Sequence, residues 1–374
     1  MNFTLATLWH ERNRFLPGVL AVAFSALLIA VQFGVLMGLL SLTSIPVDLA
    51  SADLWIGYPG VLSVDLARPI PERWVSRVKS QPEIDRVEKY HIALLMLDKA
   101  GGKSNTCTVV GFRLDDDSLG AIRELTPEQR SALSEPRSVI IDASDLERFG
   151  FQGIGDVAEV IGGHQIRLVG LVHNVKSLAA PYLFCSVETA ESLIDFVKPD
   201  QTFYLLARCR NPDDAPKVAA RLRREYPDMS AFTKAEFSTR SRWYWLVATK
   251  SGIAIGGSAI LGLIVGVVVT SQTLYAATAA SLREYAMLRA LGIPRWRIGG
   301  AVVAQALWIG GIGIAIALPT AWGMATVVEH LGARALLPPW LLAAAAVVTM
   351  LMAVASGLLA LRSLRLMEPV QLLR

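Results

Sequence analysis

Gly101-Gly102-Lys103-Ser104 is the group in this chain that most resembles phosphate-handling chemistry. Backbone amides of a glycine-rich loop cradle phosphates, and the Lys-Ser pair that follows reaches phosphate oxygens and magnesium. Such a loop needs another glycine five residues before the second one, and Leu97 occupies that position. Gly-Gly is also a turn dipeptide, so a polar turn between two strands is expected. His91, His164 and His173 stand apart, at no spacing that gives a metal site or a base–nucleophile pair. G-x-S-x-G, H-E-x-x-H and C-x-x-C do not occur. These residues argue against an enzyme in its own right, with no directly bound cofactor, no metal site and no catalytic residues.

Cys107, Cys185 and Cys209 are the three cysteines, each in a strand-like run. An odd number leaves at least one unpaired in a monomer. One disulfide in an oxidising compartment and three buried thiols are both open.

A second kind of chemistry is docking. The segment SLREYAMLRALGIPRWRIGG (281–300) reads as a short helix with a clear stop. Arg289 suits the negative end of the helix dipole, Gly292 supplies the C-cap, and Pro294 bars continuation. Apolar residues surround this helix, with Arg283, Glu284 and Arg289 interspersed. A plain surface helix keeps one polar face, so this pattern fits a helix seated in a partner's groove. Upstream, Gly252 and Gly256, then Ser258, Gly262 and Gly266, recur at four-residue spacing, which lets helix backbones approach closely in a membrane. Gln32, Gln272 and Gln305 are candidates for hydrogen bonds between helices.

The elements that must position these residues follow from charge. Arg14 and Asp48 bracket 33 uncharged residues, Lys250 and Arg283 bracket 32, Arg297 and Glu329 bracket 31, and Arg334 and Arg362 bracket 27. A bilayer-spanning helix needs about 20. All 36 Lys and Arg and all 32 Asp and Glu lie outside these windows, so the rest of the chain has the charge density of a soluble domain. The expected fold is an α-helical membrane protein with four transmembrane helices in 1+3 order plus a large α+β extracytoplasmic domain. Ala50-Ser51-Ala52 resembles a cleavage site, but the apolar stretch before it is too long for a signal peptide, and an uncleaved helix is expected. No ionisable residue sits at a span centre, which argues against an ion-coupled carrier.

The expected divisions are a cytoplasmic interfacial helix at 1–14, spans at 15–45, 247–276, 298–328 and 335–361, an outward domain at 46–243, a cytoplasmic loop at 277–297 and a cytoplasmic tail at 362–374. Leu5, Leu8 and Trp9 on one arc suggest that the first segment lies in the headgroup plane. Arginines set the orientation. Arg12 and Arg14, then Arg283, Arg289, Arg295 and Arg297, then Arg362, Arg365 and Arg374 mark the inner side, whereas the last short loop has only Arg334. Both termini therefore face the cytoplasm. The net charge of +4 arises largely on these edges and needs no nucleic acid. Trp243, Tyr244, Trp245, Trp296 and Trp340 fall at membrane edges, where aromatic rings prefer to sit.

In the outward domain, 61–67, 90–97, 106–112, 137–142, 181–187 and 202–210 read as strands, and 157–172 as a hairpin turning at Gly162-Gly163. Helices are expected at 71–80, opened by Pro71, at 188–197, and at 214–226 with Val218, Leu222 and Tyr226 on one face.

With these features in hand, R-E-Y-A-M-L-R-A-L-G-I-P (283–294), the tail L-R-S-L-R-L-M-E-P-V-Q-L-L-R (361–374) and the 1+3 order resemble the FtsX/MacB-type permeases of ABC transporters, the mechanotransmission class. L-W-H-E-R-N-R-F (8–15), A-D-L-W-I (52–56), W-Y-W-L-V-A-T-K-S-G (243–252) and G-L-I-V-G-V-V-V-T-S-Q-T-L-Y (262–275) are most similar to the DevC subgroup, from which Ser251 and Ser271 depart, where that subgroup tends to have proline and tyrosine. The resemblance implies a homodimeric inner-membrane permease without its own ATPase. A separate ABC ATPase subunit uses ATP and magnesium and docks on Arg283, Glu284, Tyr285, Arg289, Gly292 and Pro294. Its motion is passed to the outward domain, which expels lipid, glycolipid, peptide or small hydrophobic cargo through a periplasmic membrane-fusion adaptor and an outer-membrane duct. The alternatives are an FtsX-like signalling subunit that regulates a cell-wall hydrolase without transport, and a lipoprotein-release permease.

Overall fold

The computed structural model describes residues 12–99, 103–123, 125–160, 164–178, 180–280, 287, 294–330 and 334–366. The elements in chain order are α1 (Arg12–Leu42), α2 (Ile45–Leu49), β1 (Leu54–Gly57), β2 (Ile70–Pro71), α3 (Trp74–Lys79), β3 (Ile84–Lys99), β4 (Lys103–Phe112), α4 (Pro127–Leu133), β5 (Ser138–Asp142), α5 (Leu146–Phe149), β6 (Val157–Val160) and β7 (His164–Val172). They continue with β8 (Tyr182–Ser186), α6 (Val187–Leu193), β9 (Gln201–Thr202), β10 (Tyr204–Cys209), α7 (Ala215–Glu225), β11 (Ser230–Thr233), α8 (Lys234–Ala248), α9 (Lys250–Ala280), α10 (Arg295–His330) and α11 (Pro339–Leu366). Two units result, one of Met1–Leu39 with Lys250–Arg374 and one of Leu40–Thr249.

The first unit is helical. Among the described residues, four stretches, Phe15–Leu42, Lys250–Thr273, Gly299–His330 and Pro339–Leu358, are long and apolar enough to cross a membrane. Residues 1–11 lie outside the described part, and Arg12 to Arg14 form the first turn of α1. The last helix starts at Pro339 rather than 335, because the residue before a proline is pushed out of the helical region and Pro338 and Pro339 follow each other. Small residues set the close approaches. A Cβ on Gly313 would stand 2.7 Å from Val22 of α1, and one on Gly310 would stand 2.9 Å from Met350 Sδ of α11. Ser356 of α11 donates to Ser271 of α9 at 3.2 Å.

The second unit is α+β. Its main sheet runs β11-β1-β10-β3-β4-β8-β5-β7-β6, and β6 also pairs with β3, so the second half of the sheet closes into a ring. β4–β8 and β5–β7 are parallel, and the other pairs are antiparallel. Alternate side chains of β1 serve two cores. Leu54 and Ile56 join Trp74 and Val78 of α3 and Val218, Ala219 and Leu222 of α7. Trp55 points the other way, 5.2 Å from the Tyr90 ring, 5.5 Å from Tyr204 and 5.6 Å from Phe237 of α8. Thr233 and Glu236 form a capping box that starts α8, and Thr126 and Gln129 form another that starts α4.

Three expectations need correction. Pro71 does not open a helix, because it pairs in β2 with Gln201 of β9 and α3 starts at Trp74. Residues 61–67 are not a strand; Val64–Leu66 is a 3₁₀ turn within a strap of irregular chain. Side chains take the backbone groups that a ladder would have used. Val64 N donates to Ser241 Oγ, Arg240 Nε donates to Val61 O, and Tyr204 OH donates to Val64 O. The helix expected at 188–197 spans only Val187–Leu193, where Ile194 leaves helical geometry. The turn at Gly101-Gly102 and the one at Gly162-Gly163 lie outside the described residues, but the strands flanking each are paired, Lys99 with Lys103 and Val160 with His164.

Candidate functional site

Where the two ends of the 40–249 unit meet, short polar side chains are gathered on two helices. α2 follows α1 after a two-residue turn, and α8 precedes α9 with Thr249 alone between them. Thr249 is extended (φ −102°, ψ 145°), so the helix breaks there rather than running on. Asp48 of α2 accepts from Arg242 Nη2 at 2.7 Å, from Ser238 Oγ at 2.7 Å and from Ser44 Oγ at 2.7 Å. Arg242 Nε also donates to Ser44 Oγ at 2.8 Å. Lys234 Nζ donates to Ala50 O at 2.6 Å. The two chain ends of this unit are thus held as one clamp, built on charge-assisted bonds.

Beside the clamp, where the strap meets Ser241 and Trp245 of α8, lies a buried carboxylate. Burial raises the Asp65 pKa to about 7, and the nearby Trp245 indole lowers it in part. Tyr90, Tyr182 and Tyr204, all buried, feel its charge. Farther away, β3, α3 and α6 border a cleft of about 920 Å³. Lys89 lies in it between Glu191 at 3.0 Å and Glu72 at 3.4 Å. Arg137 stands at its rim in the left-handed region, φ 62°.

The docking residues proposed from sequence are mostly unplaced. Arg283, Glu284, Tyr285, Arg289 and Gly292 lie outside the described residues. Pro294 is exposed, and its carbonyl accepts from Arg297 N at 3.0 Å as α10 begins. The glycines are placed. A Cβ on Gly262 would lie 3.1 Å from Gln32 Cγ and one on Gly266 would lie 3.5 Å from Ser25 Cβ, both on α1. Ser25 Oγ donates to Gly266 O at 3.0 Å and accepts from Thr270 Oγ1 at 2.7 Å. Gly252 is buried and Gly256 half-buried. Gln32 lies along α9, whereas Gln272 is exposed.

Two features escaped sequence reading. Gly34 and Gly38 of α1 repeat the same four-residue spacing, and it was legible in the letters. A Cβ on Gly38 would fall 1.9 Å from Arg334 O, and Gly34 O accepts from Leu336 N at 2.9 Å. The Arg242–Asp48 clamp had no local signal at all.

The three cysteines are free and buried, which resolves the disulfide alternative. Burial pushes the Cys107 thiol up to about 12 and Cys209 to about 11. His91 is buried beside Glu191 Oε1 at 3.4 Å, and burial lowers its pKa to about 4. His164 lies 3.3 Å from Asp195. Among the described residues no three His, Cys, Asp or Glu side chains converge to hold a metal.

Residues 256–369 match the family described as FtsX-like permease C-terminal. No curated protein matches the chain. Among solved structures, the periplasmic region of MacB from Actinobacillus actinomycetemcomitans is similar at 13% identity and TM-score 0.34, over 52% of this chain and 94% of that one. The extracellular domain of the noncanonic ABC-type transporter YknZ from Gram-positive bacteria is similar at 10% and 0.32, over 48% and 99%. A domain of a putative permease protein from Porphyromonas gingivalis is similar at 11% and 0.27, over 50% and 91%. The stretch that carries most of α9, with α10 and α11, thus matches an FtsX-like permease C-terminal domain, and it holds three of the helices long and apolar enough to cross a membrane.

Proposed function

We propose that this chain is the permease subunit of an ABC export system, closest in kind to DevC- and MacB-type exporters, and that it works as a transmitter of force. It forms a homodimer in the cytoplasmic (inner) membrane with both termini inside. A separate ABC ATPase binds the 281–294 segment and supplies ATP and magnesium chemistry. Closure of that ATPase moves α9, and the 40–249 unit, lying outside, pushes lipid, glycolipid, peptide or small hydrophobic cargo toward a periplasmic adaptor and an outer-membrane duct.

The observation that carries this reading is the family match over 256–369, which encloses the 281–294 segment between two apolar helices. The clamp supports the force-transmitting part. A lever needs its two arms tied, and Asp48 ties the helix after α1 to the helix before α9. Purification of the tagged chain from its native membrane in mild detergent tests the reading. An ATPase and a periplasmic adaptor should co-purify. An ATPase with a cell-wall hydrolase and no adaptor would replace export with signalling, an ATPase with lipoprotein-release partners would favour that role, and no ATPase would sink all three.

A further inference from the structure

We propose that the 61–67 strap and α8 form a collar that seats in the lipid headgroup layer on the outer side of the membrane. The inference rests on the reading of α9 as a membrane span. It starts from four apolar side chains of the 40–249 unit that face outward: Leu62 at 43% exposure, Leu66 at 40%, Trp243 at 65% and Val247 at 52%.

Their arrangement around α8 identifies the occupant. The strap lies on the side of α8 that holds Ser241 and Trp245, through Val64 N to Ser241 Oγ and the approach of Asp65 to Trp245. At about 100° per residue, Trp245 stands about 40° round the helix from Ser241, whereas Trp243 and Val247 stand about 200° and 240° round it. The exposed apolar groups therefore flank α8 on opposite sides, at the same level along its length. A protein partner covers one face of such a rod. A lipid surface touches, at one level, every side that α2 leaves uncovered, and it is where tryptophan is enriched.

Height and charge agree. Trp243 is seven residues before Lys250, where the apolar helix begins, and because α8 stays helical to Ala248 the helical rise plus two extended residues holds it within about 15 Å of that residue. The strap's acid, Asp65, turns its carboxylate inward to Trp245, so the outer side of the strap shows leucines and no carboxylate to lipid phosphates. Arg68, two residues after Leu66, is exposed and supplies a cation of the right sign.

The test uses the full chain in nanodiscs of phosphatidylethanolamine and phosphatidylglycerol. Because Cys107, Cys185 and Cys209 are buried, single new cysteines can carry a fluorophore. Leu66→Cys and Trp243→Cys report on the two flanks, Phe196→Cys on an exposed apolar site elsewhere in the unit, and Ile260→Cys on α9. A spin label on the lipid headgroup should quench both flank probes at least about twofold more than the Phe196 probe, as the interfacial preference of such residues requires. Quenching of neither flank, or of one flank only, overturns the collar. The Ile260 probe separates the two readings: if mid-chain spin labels leave it unquenched, α9 is not a membrane span and that reading fails first.

Discussion

Arg242 reaches Asp48 across 194 residues of sequence, Nη2 to Oδ2 at 2.7 Å, and the same carboxylate also accepts from Ser44 and Ser238. Both side chains remain partly exposed, at 41% and 35%, so the pair alone contributes little to stability. Its weight comes from the shared network. A double-mutant cycle with Arg242→Ala and Asp48→Ala should give a coupling of about 1 kcal/mol in thermal or denaturant unfolding, since bonds to a charged group exceed neutral ones. Strict additivity would show that the clamp is not a unit.

The docking segment is tested by charge reversal. If the proposed ATPase docks there, Arg289→Glu should remove the chain's stimulation of that ATPase while leaving the amount inserted in the membrane unchanged. Normal stimulated hydrolysis would remove Arg289 from the interface.

Two glycines of equal sequence appearance should differ sharply. Gly38→Ala drives a Cβ to 1.9 Å from a backbone carbonyl, whereas Gly262→Ala meets the flexible Gln32 side chain at 3.1 Å. Thermal unfolding in detergent should show a loss for Gly38→Ala of several kcal/mol, in the range of severe overpacking, and little for Gly262→Ala. Gly262→Leu should impair assembly of the complex. Equal effects of the two alanine substitutions would refute the close approach of Gly38 to Arg334.

Asp65 gives a pH signature. Its pKa in the folded chain is about 7, against 3.8 for the ordinary carboxyl. The folded state therefore holds a proton that the unfolded state releases, and stability falls as pH rises from about 4 to about 7. Asp65→Asn keeps the shape without the charge. It should flatten that part of the curve and raise the unfolding temperature at pH 8. A curve of unchanged slope would mean that the carboxylate is solvated.

The thiols offer a check on the core. With Cys107 held up to about 12 by burial and all three side chains inaccessible, a maleimide should label none in the native chain and three after unfolding. Fast native labelling would place at least one at the surface.

The apolar helices were legible because membrane burial removes charge from whole windows, and α7 was legible because Val218 and Leu222 recur one helical turn apart. β3 was read only from residue 90. Its first half, I-D-R-V-E-K, looks like a charged loop, yet those charges are matched across space: Arg86 by Asp115 and Glu88, Lys89 by Glu191. The strap at 61–67 was misread for the opposite reason, since its letters suit a strand while α8 and Tyr204 claim its backbone. The clamp depends on residues far apart in sequence, and periodicity carries no trace of such a contact.

β3 is 16 residues long, about 50 Å from end to end. Its first half is paired with β10, next to β1 and β11, the strand that hands the chain to α8. Its second half is one stave of the closed ring. A single continuous beam therefore serves both parts of the unit. A tilt imposed at the Ile84 end must swing the Lys99 end with it, and the far end moves farther than the near one, so a small rotation at the base becomes a longer sweep at the tip.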